Sequence, residues 1–456
     1  MDQGMNRYLR EWYDRHTDEV VAMMQDLWEH PELSLHEYHA ARTMGRYMEE
    51  QGFRVEYHAA EDYDNPQAQP NTVIASWGEG EPVIGIIGEM DALPGLGQQA
   101  VPYRAPIEGP GHGCGHNLMA AGAAGAAAAV KYAMEKEGLK GTVRLIETPA
   151  EEIGCGKALL AKNGVFKGLD MALMWHPFQI YIHFERFTSL AIYGVTFEFE
   201  GKAAHASAAP ENGRSALDAL QLMNMGMEFL REHVPDSVWM HYYIKDGGDA
   251  PNVVPEHASA EYLLRAPDGE VIQSTFQRML RVAEGAAMMT DTKMKYTVTS
   301  AGQCFYMNRA LHRYVYEASR KVDPIVYTPE EYAYGRQLME SVTGKPAPED
   351  DDKVLITRVL PYTDNIRQQG CCTDAAEMSH FCPTIHFWGG GRLFGMPSHH
   401  WCVTSVMGMS IGQKAGLYAY KVIAQAAYDA LTNPQMVKDC WADFEAQHIP
   451  PYQPRM

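Results

Sequence analysis

The sequence is short of positive charge: 38 lysines and arginines stand against 58 aspartates and glutamates, which gives a net charge of -20 at pH 7. A protein that binds nucleic acid or an anionic membrane surface needs a basic patch that displaces counterions. This chain has no basic stripe of that kind. The composition therefore argues against nucleic acid and membranes as partners and favours a small-molecule substrate.

Long apolar runs are also lacking. No segment reaches the roughly 18 apolar residues of a membrane-spanning helix, and residues 1–15 lack the apolar core of a signal peptide. The alanine- and glycine-rich residues 119–130 come nearest to a membrane span, but this run is too short and too weakly apolar. It is typical of a helix packed closely on a sheet. We expect a cytoplasmic protein.

Cysteines are few and irregularly spaced, with eight in 456 residues. They form no disulfide framework, so we expect mostly reduced, buried thiols. Cys155 lies three residues after a pair of glutamates and is either a metal ligand or a packing residue in a Gly-Cys-Gly turn. Cys114 has other possible metal ligands as close neighbours in the sequence.

The order of predicted elements indicates two domains. Residues 1–187 and 304–456 are expected to form an α/β domain with a mixed, mainly parallel sheet sandwiched by helices. Residues 188–303 show a β-α-β-β-α-β order with alternating, antiparallel-looking strands, which predicts an inserted α+β domain of ferredoxin-like topology.

A glycine-rich turn at residues 109–117, Gly-Pro-Gly-His-Gly-Cys-Gly-His-Asn, contains His112, Cys114 and His116. Its glycines let the backbone approach an ion without Cβ clashes. An alanine-rich run at 120–130 follows directly, so we predict a strand-to-helix crossing with ligands at the helix N-terminus. The alternative is a turn of small residues with a buried cysteine and solvated histidines.

Four further candidate side chains follow three predicted strands. Asp91, the pair Glu151 and Glu152, and His176 each come directly after a short apolar or β-branched run. The carboxyl ends of strands in an α/β sheet line one crevice, which is where ligands bind. We therefore expect these side chains to meet the 109–117 turn at that crevice.

The candidate ligands are one thiolate, three imidazoles and one carboxylate: Cys114, His116, Glu152, His176 and His399. Five ligands are enough for two ions, and their scatter over the chain points to a catalytic rather than a structural site. Adjacent side chains on an extended segment point to opposite sides. One of the two neighbouring glutamates can therefore bind metal while the other acts as general base.

Four motifs, taken together in this order, resemble the aminoacylase/carboxypeptidase family of dinuclear metallohydrolases. They are His-Gly-Cys-Gly-His-Asn at 112–117, Pro-Ala-Glu-Glu at 149–152, Trp-His-Pro at 175–177 and Gly-Lys-Ala-Ala-His-Ala-Ser at 201–207. The nearest branch is the amidohydrolase branch, which includes p-aminobenzoyl-glutamate hydrolase and indole-acetyl-amino-acid hydrolases. The resemblance spans about residues 31–424.

This resemblance implies a role for each candidate in the catalytic domain. It makes Cys114 the bridging thiolate between two divalent ions, with His116, Glu152 and His176 as further ligands and Glu151 as the general base. The last ligand falls at His399 or His400, and the His-x-Trp spacing before Trp401 favours His399.

On the inserted domain, the resemblance implies that His205 stabilises the oxyanion, reaching the partner's active site in a dimer. Asn252 and Arg265 match substrate contacts, with Arg265 as a clamp for a carboxylate. The alternatives are a turn asparagine and a strand-end surface arginine. We expect a homodimer or a higher oligomer formed through this domain.

One departure from the family pattern lies at 88–91. Peptidases of the family commonly have Gly-His-x-Asp there, whereas this chain has Gly-Glu-Met-Asp. The resemblance implies that His116 supplies the missing nitrogen. Asp91 and His112 are then expected to support ligands by hydrogen bonds rather than to bind an ion.

The expected reaction is metal-dependent hydrolysis of the amide between an acyl or aroyl group and an amino acid, with two Mn2+ or Zn2+ ions in each chain. Two alternatives stay open. One is a metal-dependent aminohydrolase acting on an aromatic or heterocyclic amine, and the other is a non-catalytic, metal-stabilised subunit of a hetero-oligomer.

Overall fold

The computed structural model describes residues 4–184, 186–368 and 372–455. Contacts divide the chain into two compact units. The first unit comprises residues 1–187, 306–367 and 378–453, and the second unit comprises residues 188–305, 368–377 and 454–456.

The helices in chain order are α1 (Arg7–Glu29), α2 (Tyr38–Glu50), α3 (His116–Glu137), α4 (Gly156–Lys162), α5 (Ala216–Arg231), α6 (Gly269–Thr290), α7 (Arg309–Ser319), α8 (Pro329–Thr343), α9 (Trp401–Met407), α10 (Ser410–Thr432) and α11 (Pro434–Ala446). The strands are β1 (Arg54–His58), β2 (Thr72–Glu79), β3 (Val83–Glu89), β4 (Gly141–Thr148), β5 (Met171–His183), β6 (Arg186–Thr188), β7 (Ala191–Glu200), β8 (Trp239–Asp246), β9 (His257–Ala266), β10 (Lys293–Gly302), β11 (Ile366–Gln368) and β12 (Thr384–Gly391).

The first unit is built on a six-stranded sheet with the order β1-β2-β4-β3-β5-β12. The pairs β4-β3, β3-β5 and β5-β12 are parallel, whereas β1-β2 and β2-β4 are antiparallel. Strand β3 is an almost continuous apolar run, and helix α3 packs on it. This confirms the predicted mixed, mainly parallel sheet.

Helix α3 runs through the interior of the first unit, and its residues from His116 to Val130 are all buried. Alanines and glycines at these positions let neighbouring elements approach closely. A Cβ added at Gly122 would lie 2.3 Å from the ring of Tyr420 in α10, and one added at Gly125 would lie 2.8 Å from Val20 in α1. The small residues thus serve packing, as the sequence indicated. Within the described residues, no helix is long and apolar enough to cross a membrane.

The second unit contains an antiparallel sheet with the order β10-β7-β9-β8. Helices α5 and α6 pack on its strands. The β7-α5-β8-β9-α6-β10 order is the predicted ferredoxin-like one, and the fold class is confirmed. The assignment of residues 188–303 as a separate dimerisation or lid domain stays a prediction.

Several elements differ from the sequence-based expectation. Helices α7, α8 and α11 were not predicted from the sequence. The glycine-rich run at 387–391 is the end of strand β12. A run of glycines shows no alternation of apolar and polar side chains, which is the feature that predicts a strand from sequence.

Candidate metal centre

The loop between β3 and α3 brings three of the predicted site residues together. Asp91 follows β3 directly, Cys114 lies just before α3, and His116 is the first residue of that helix. Gly115 has φ 94°, a conformation that favours glycine and that turns the chain into the helix. Asp91 and the glycine-rich turn therefore lie on one strand-to-helix crossing, not on two as the sequence suggested.

The turn after β4 carries both glutamates. Residues 151–154 form a turn rather than an extended segment, so the expected alternation of the two side chains is wrong. An oxygen of Glu151 and an oxygen of Glu152 each lie 3.9 Å from Nε2 of His116. Both carboxylates face the same imidazole.

His176 and His399 complete the cluster. His176 lies inside β5, which continues to His183, rather than after the strand. Its Nε2 lies 3.4 Å from Cys114 Sγ. The Nε2 of His399 lies 3.6 Å from the same sulfur and 3.4 Å from Glu152 Oε2. Cys114 therefore lies between two sets of possible ligands.

These side chains form two groups whose ligand atoms lie within 4.8 Å of one another: Cys114, His116, His176 and Cys114, Glu152, His399. The shared sulfur is what a thiolate bridging two ions would require. A third group joins Glu89, His116 and Glu151. The assignment of individual residues as ligands stays a prediction.

Two polar atoms at the centre of the cluster support a metal site. Within the described part of the chain, Nε2 of His116 and Oε1 of Glu152 are buried without a hydrogen-bond partner. Buried polar atoms are normally satisfied, so such atoms need an explanation. Sulfur, imidazole and carboxylate donors suit a divalent transition metal, and this donor set fits two such ions.

Hydrogen bonds orient the imidazoles. Nδ1 of His116 lies 2.9 Å from Asp91 Oδ1, and Nδ1 of His176 lies 2.9 Å from the carbonyl oxygen of Pro177. Each Nδ1 therefore donates a hydrogen to an oxygen, which directs Nε2 at the cluster. Burial would lower the pKa of His116, but the charge of Glu89 outweighs it and raises that pKa well above its usual range, so Nε2 of His116 must lose a proton before it can bind an ion.

The charges around the cluster explain the protonation of its members. Burial raises the pKa of the Cys114 thiol to about 11, opposed by the positive charge of Arg392. Burial also raises the pKa of Glu152, to about 7. Burial lowers the pKa values of His176 and His399, which keeps both imidazoles neutral, as a metal ligand must be.

The side chain of Asp91 accepts several hydrogen bonds beside the cluster. Besides His116, it binds the Ser34 hydroxyl at 2.8 Å and the Glu152 backbone N–H at 2.9 Å. Burial alone would raise the pKa of Asp91, but these bonds outweigh it and hold the pKa at about 2. The role of Asp91 as a support for a ligand stays a prediction.

Sequence reasoning missed Lys157. Its Nζ donates to Glu89 Oε1 at 2.6 Å, and both side chains are fully buried. Glu89 Oε2 lies 3.2 Å from His116 Nε2. The ammonium group offsets the charge of the carboxylate that stands where family peptidases have histidine. The departure at Glu89 was visible in the sequence, but nothing there linked it to Lys157.

Arg392 was missed as well. Its Nη2 donates to the Cys114 carbonyl oxygen at 2.7 Å and lies 3.1 Å from the sulfur, while its Nη1 donates to Ser398 at 3.0 Å. The buried guanidinium thus ties the cysteine turn to the loop that carries His399. No local pattern records its contact with Cys114, which lies 278 positions away in the sequence.

The other prominent histidines have different surroundings. His112 is buried with Nε2 3.0 Å from the Leu27 carbonyl oxygen, and burial lowers its pKa to about 3. His400 accepts a hydrogen bond from the Cys402 backbone N–H at 3.4 Å and caps α9. The preference for His399 over His400 agrees with these positions but stays a prediction.

The predicted residues of the second unit are His205, Asn252 and Arg265. His205 is exposed, and its Nδ1 accepts hydrogen bonds from the backbone N–H groups of Ser207 at 3.3 Å and Ala208 at 3.2 Å. Asn252 is exposed in a turn, and its carbonyl oxygen binds the Ala206 N–H at 3.0 Å. Arg265 lies in β9, and its Nε is buried without a hydrogen-bond partner among the described residues.

Comparisons with known proteins identify the family to which the chain is similar. Residues 85–405 match the model of Peptidase family M20/M25/M40. One of the p-aminobenzoyl-glutamate hydrolase subunits of Escherichia coli (strain K12) is 33% identical over 99% of this chain and 97% of its own length. The Xaa-Arg dipeptidase of Homo sapiens is 26% identical over 95% of this chain and 91% of its own length.

A solved structure supports the same fold. A Bacillus subtilis protein described as a dinuclear metal binding peptidase from the M20 family superposes with a TM-score of 0.61 at 21% identity, covering 92% of this chain and 99% of its own. The family resemblance inferred from the motifs is confirmed. The chain therefore belongs to peptidase family M20/M25/M40.

Proposed function

We propose that this amide hydrolase cleaves the bond between an acyl or aroyl group and an amino acid. The observation that carries the proposal is the position of Cys114, whose sulfur is shared by two groups of possible ligands. The similarity over nearly the whole length to a p-aminobenzoyl-glutamate hydrolase chain supports this substrate class.

The two divalent ions that this site fits supply Lewis acidity when bound, polarising the scissile carbonyl and lowering the pKa of water. Glu151 lies beside the ligand cluster, with an oxygen 3.9 Å from His116 Nε2. In this proposal Glu151 takes a proton from the attacking water and returns it to the leaving nitrogen. Glu152, on the same turn, holds an ion. The donor set accepts manganese or zinc, so both are candidates.

The second unit is proposed to hold the substrate. Because Nδ1 of His205 accepts backbone hydrogen bonds, a neutral ring carries its hydrogen on Nε2. That N–H is the donor that a developing oxyanion needs. Arg265, with its buried Nε lacking a hydrogen-bond partner in the described part, supports the proposed binding of a substrate carboxylate, and Asn252 is the second proposed contact.

We also propose that two copies of the chain associate through β8. This strand lies at the edge of its sheet, and it exposes the apolar side chains Trp239, Tyr242, Tyr243 and Ile244. An exposed apolar edge strand is a template for pairing with another chain. A homodimer would cover it. The Escherichia coli relative is named as one subunit of its hydrolase, which makes a second type of chain an alternative outcome.

Replacing Glu151 tests the mechanism. We expect Glu151→Gln to lower kcat by a factor of about 10² to 10⁴, the range for loss of a general base, with both ions retained. Turnover of p-aminobenzoyl-glutamate and a panel of N-acyl amino acids, and metal content by elemental analysis, check this. Substantial activity in the variant would show that the base is misassigned.

Two further assays separate the alternative functions. Ammonia release from an aromatic amine that lacks an amide bond would identify an aminohydrolase. A metal-loaded wild-type chain without turnover, active only after addition of a second chain, would identify a subunit of a hetero-oligomer.

A further inference from the structure

We infer that Glu37 is a positioning residue for this reaction, because it holds the turn that carries Glu151 and Glu152 in a conformation that Ala150 would not adopt by itself. The role in catalysis rests on the function proposed above, whereas the contacts themselves do not.

The turn begins with an unfavourable backbone conformation. Ala150 has φ 55°, which lies in the left-handed region. A residue with a Cβ rarely adopts this conformation unless its surroundings impose it, and such residues cluster at active sites. Ala150 is fully buried and immediately precedes the proposed base.

Glu37 supplies the contact that imposes this conformation. Its Oε1 accepts hydrogen bonds from the backbone N–H of Ala150 at 2.7 Å and from that of Leu35 at 3.0 Å. Leu35 is also left-handed, with φ 69°. The Glu37 side chain is fully buried, so these bonds are sheltered from water.

The turn is thus held on both sides of Glu151. Glu37 binds the N–H of Ala150 before it, and Asp91 binds the N–H of Glu152 after it at 2.9 Å. The carbonyl oxygen of Ala150 also accepts the N–H of Cys155 at 3.2 Å. Loss of the hydrogen bond from the Ala150 N–H to Glu37 would free the backbone directly before Glu151, the proposed base.

Capping of α2 does not explain the Glu37 side chain. Glu37 stands at the N-cap position of that helix, but its side chain makes no capping hydrogen bond there. Its carbonyl oxygen accepts the Ala41 N–H at 3.0 Å, which anchors the residue on α2. Burial and the charge of Asp91 raise the pKa of Glu37 to about 9, so the side chain is neutral near pH 7. A glutamine should therefore replace it well.

The test compares Glu37→Leu, which removes the acceptor, with Glu37→Gln, which keeps it. We expect Glu37→Leu to lower kcat by roughly 10- to 100-fold, the scale of a misplacement near the chemistry, with a much smaller change in KM. Its affinity for the ion held by Glu152, measured by chelator competition, should fall as well. Glu37→Gln should restore both.

The matched control is Glu32→Leu. Glu32 also accepts backbone N–H bonds, from His39 at 2.8 Å and Ala40 at 3.0 Å, but these bonds lie on α2 and not on the Ala150 turn. We expect it to lower stability while leaving kcat and metal affinity close to wild type. Equal losses in Glu32→Leu and Glu37→Leu would overturn the inference, because they would indicate a general structural effect.

Ala150→Gly provides a rescue. Glycine adopts φ 55° without penalty, so Glu37→Leu with Ala150→Gly should regain much of the lost metal affinity and kcat, or fold if Glu37→Leu alone does not. No recovery in the double variant would overturn the inference. If wild-type protein cleaves no amide at all, the proposed function fails, but the metal-affinity comparison still decides whether Glu37 holds the turn.

Discussion

At the scale of single residues, the contact of Arg392 with Cys114 lowers the pKa of the Cys114 thiol. A thiol must lose its proton to bind a metal ion, and burial opposes that loss here. The guanidinium of Arg392, 3.1 Å from the sulfur, favours the thiolate. Arg392 thus helps the buried Cys114 thiol to lose its proton, which the thiol must do to bind a metal ion.

Metal affinity should therefore rise with pH. Cys114, with a pKa of about 11, releases a proton on binding throughout the neutral range, so affinity increases by up to about tenfold per pH unit for that proton. The charges of Glu89 and Cys114 raise the pKa of His116 well above its usual range despite burial, so His116 releases a second proton on binding over the same range. Glu152, with a pKa of about 7, adds a third below that pH, where the dependence should be steeper. Chelator competition from about pH 6 to about pH 8.5 measures both slopes. A flat profile would contradict the thiol as ligand.

Arg392→Met should lower the metal affinity at every pH in that range, because it removes the charge that favours the Cys114 thiolate. Arg392→Lys keeps the charge but loses the forked guanidinium that contacts Ser398 through Nη1 and Cys114 through Nη2, so we expect an intermediate affinity. The same competition assay compares the three proteins. Equal affinity of Arg392→Met and wild type would rule out this role.

At the scale of elements, α3 packs closely against its neighbours because its glycines carry no side chain. The ring of Tyr420 occupies the space into which a Cβ on Gly122 would project, at 2.3 Å. Gly285 in α6 has no atom within 4 Å of such a Cβ. An alanine at position 122 would therefore clash with Tyr420, whereas an alanine at position 285 would have open space around its Cβ.

Gly122→Ala should lower the free energy of unfolding by about 1–3 kcal/mol through overpacking. Gly285→Ala should raise it by about 0.5–1 kcal/mol, because alanine is the better helix former. Urea unfolding of both variants measures the two changes. A stabilised Gly122→Ala would show that α10 can move away from α3.

Sequence patterns predicted the elements that carry periodic or motif signals and missed those that do not. Cys114, His116 and His176 stand in short motifs, so the sequence alone singled them out. Glu37 and Arg392 act through backbone N–H, carbonyl and sulfur contacts to residues more than a hundred positions away. No local pattern records such a contact, because it depends on how β4, β12 and α2 come together.

At the scale of the whole molecule, association through β8 is the proposed assembly. We expect Ile244→Lys to convert a dimer into a monomer, because a lysine on an edge strand opposes pairing with a second strand. Sedimentation velocity measures the change. Val326→Lys is the control, since it replaces another exposed apolar side chain, in the first unit. A dimer that persists in Ile244→Lys would place the interface elsewhere.

The position of β12 in the sheet has a consequence for synthesis. Strand β5 ends at residue 183, but its parallel partner β12 begins only at residue 384. A chain that emerges from the ribosome N-terminus first leaves one edge of β5 uncovered while about 200 further residues are made, and a bare edge strand is prone to aggregation. His399 lies eight residues after the end of β12, so the strand that pairs with β5 and the last proposed ligand are made almost together. Binding of an ion that needs His399 can therefore begin only after β12 has been made.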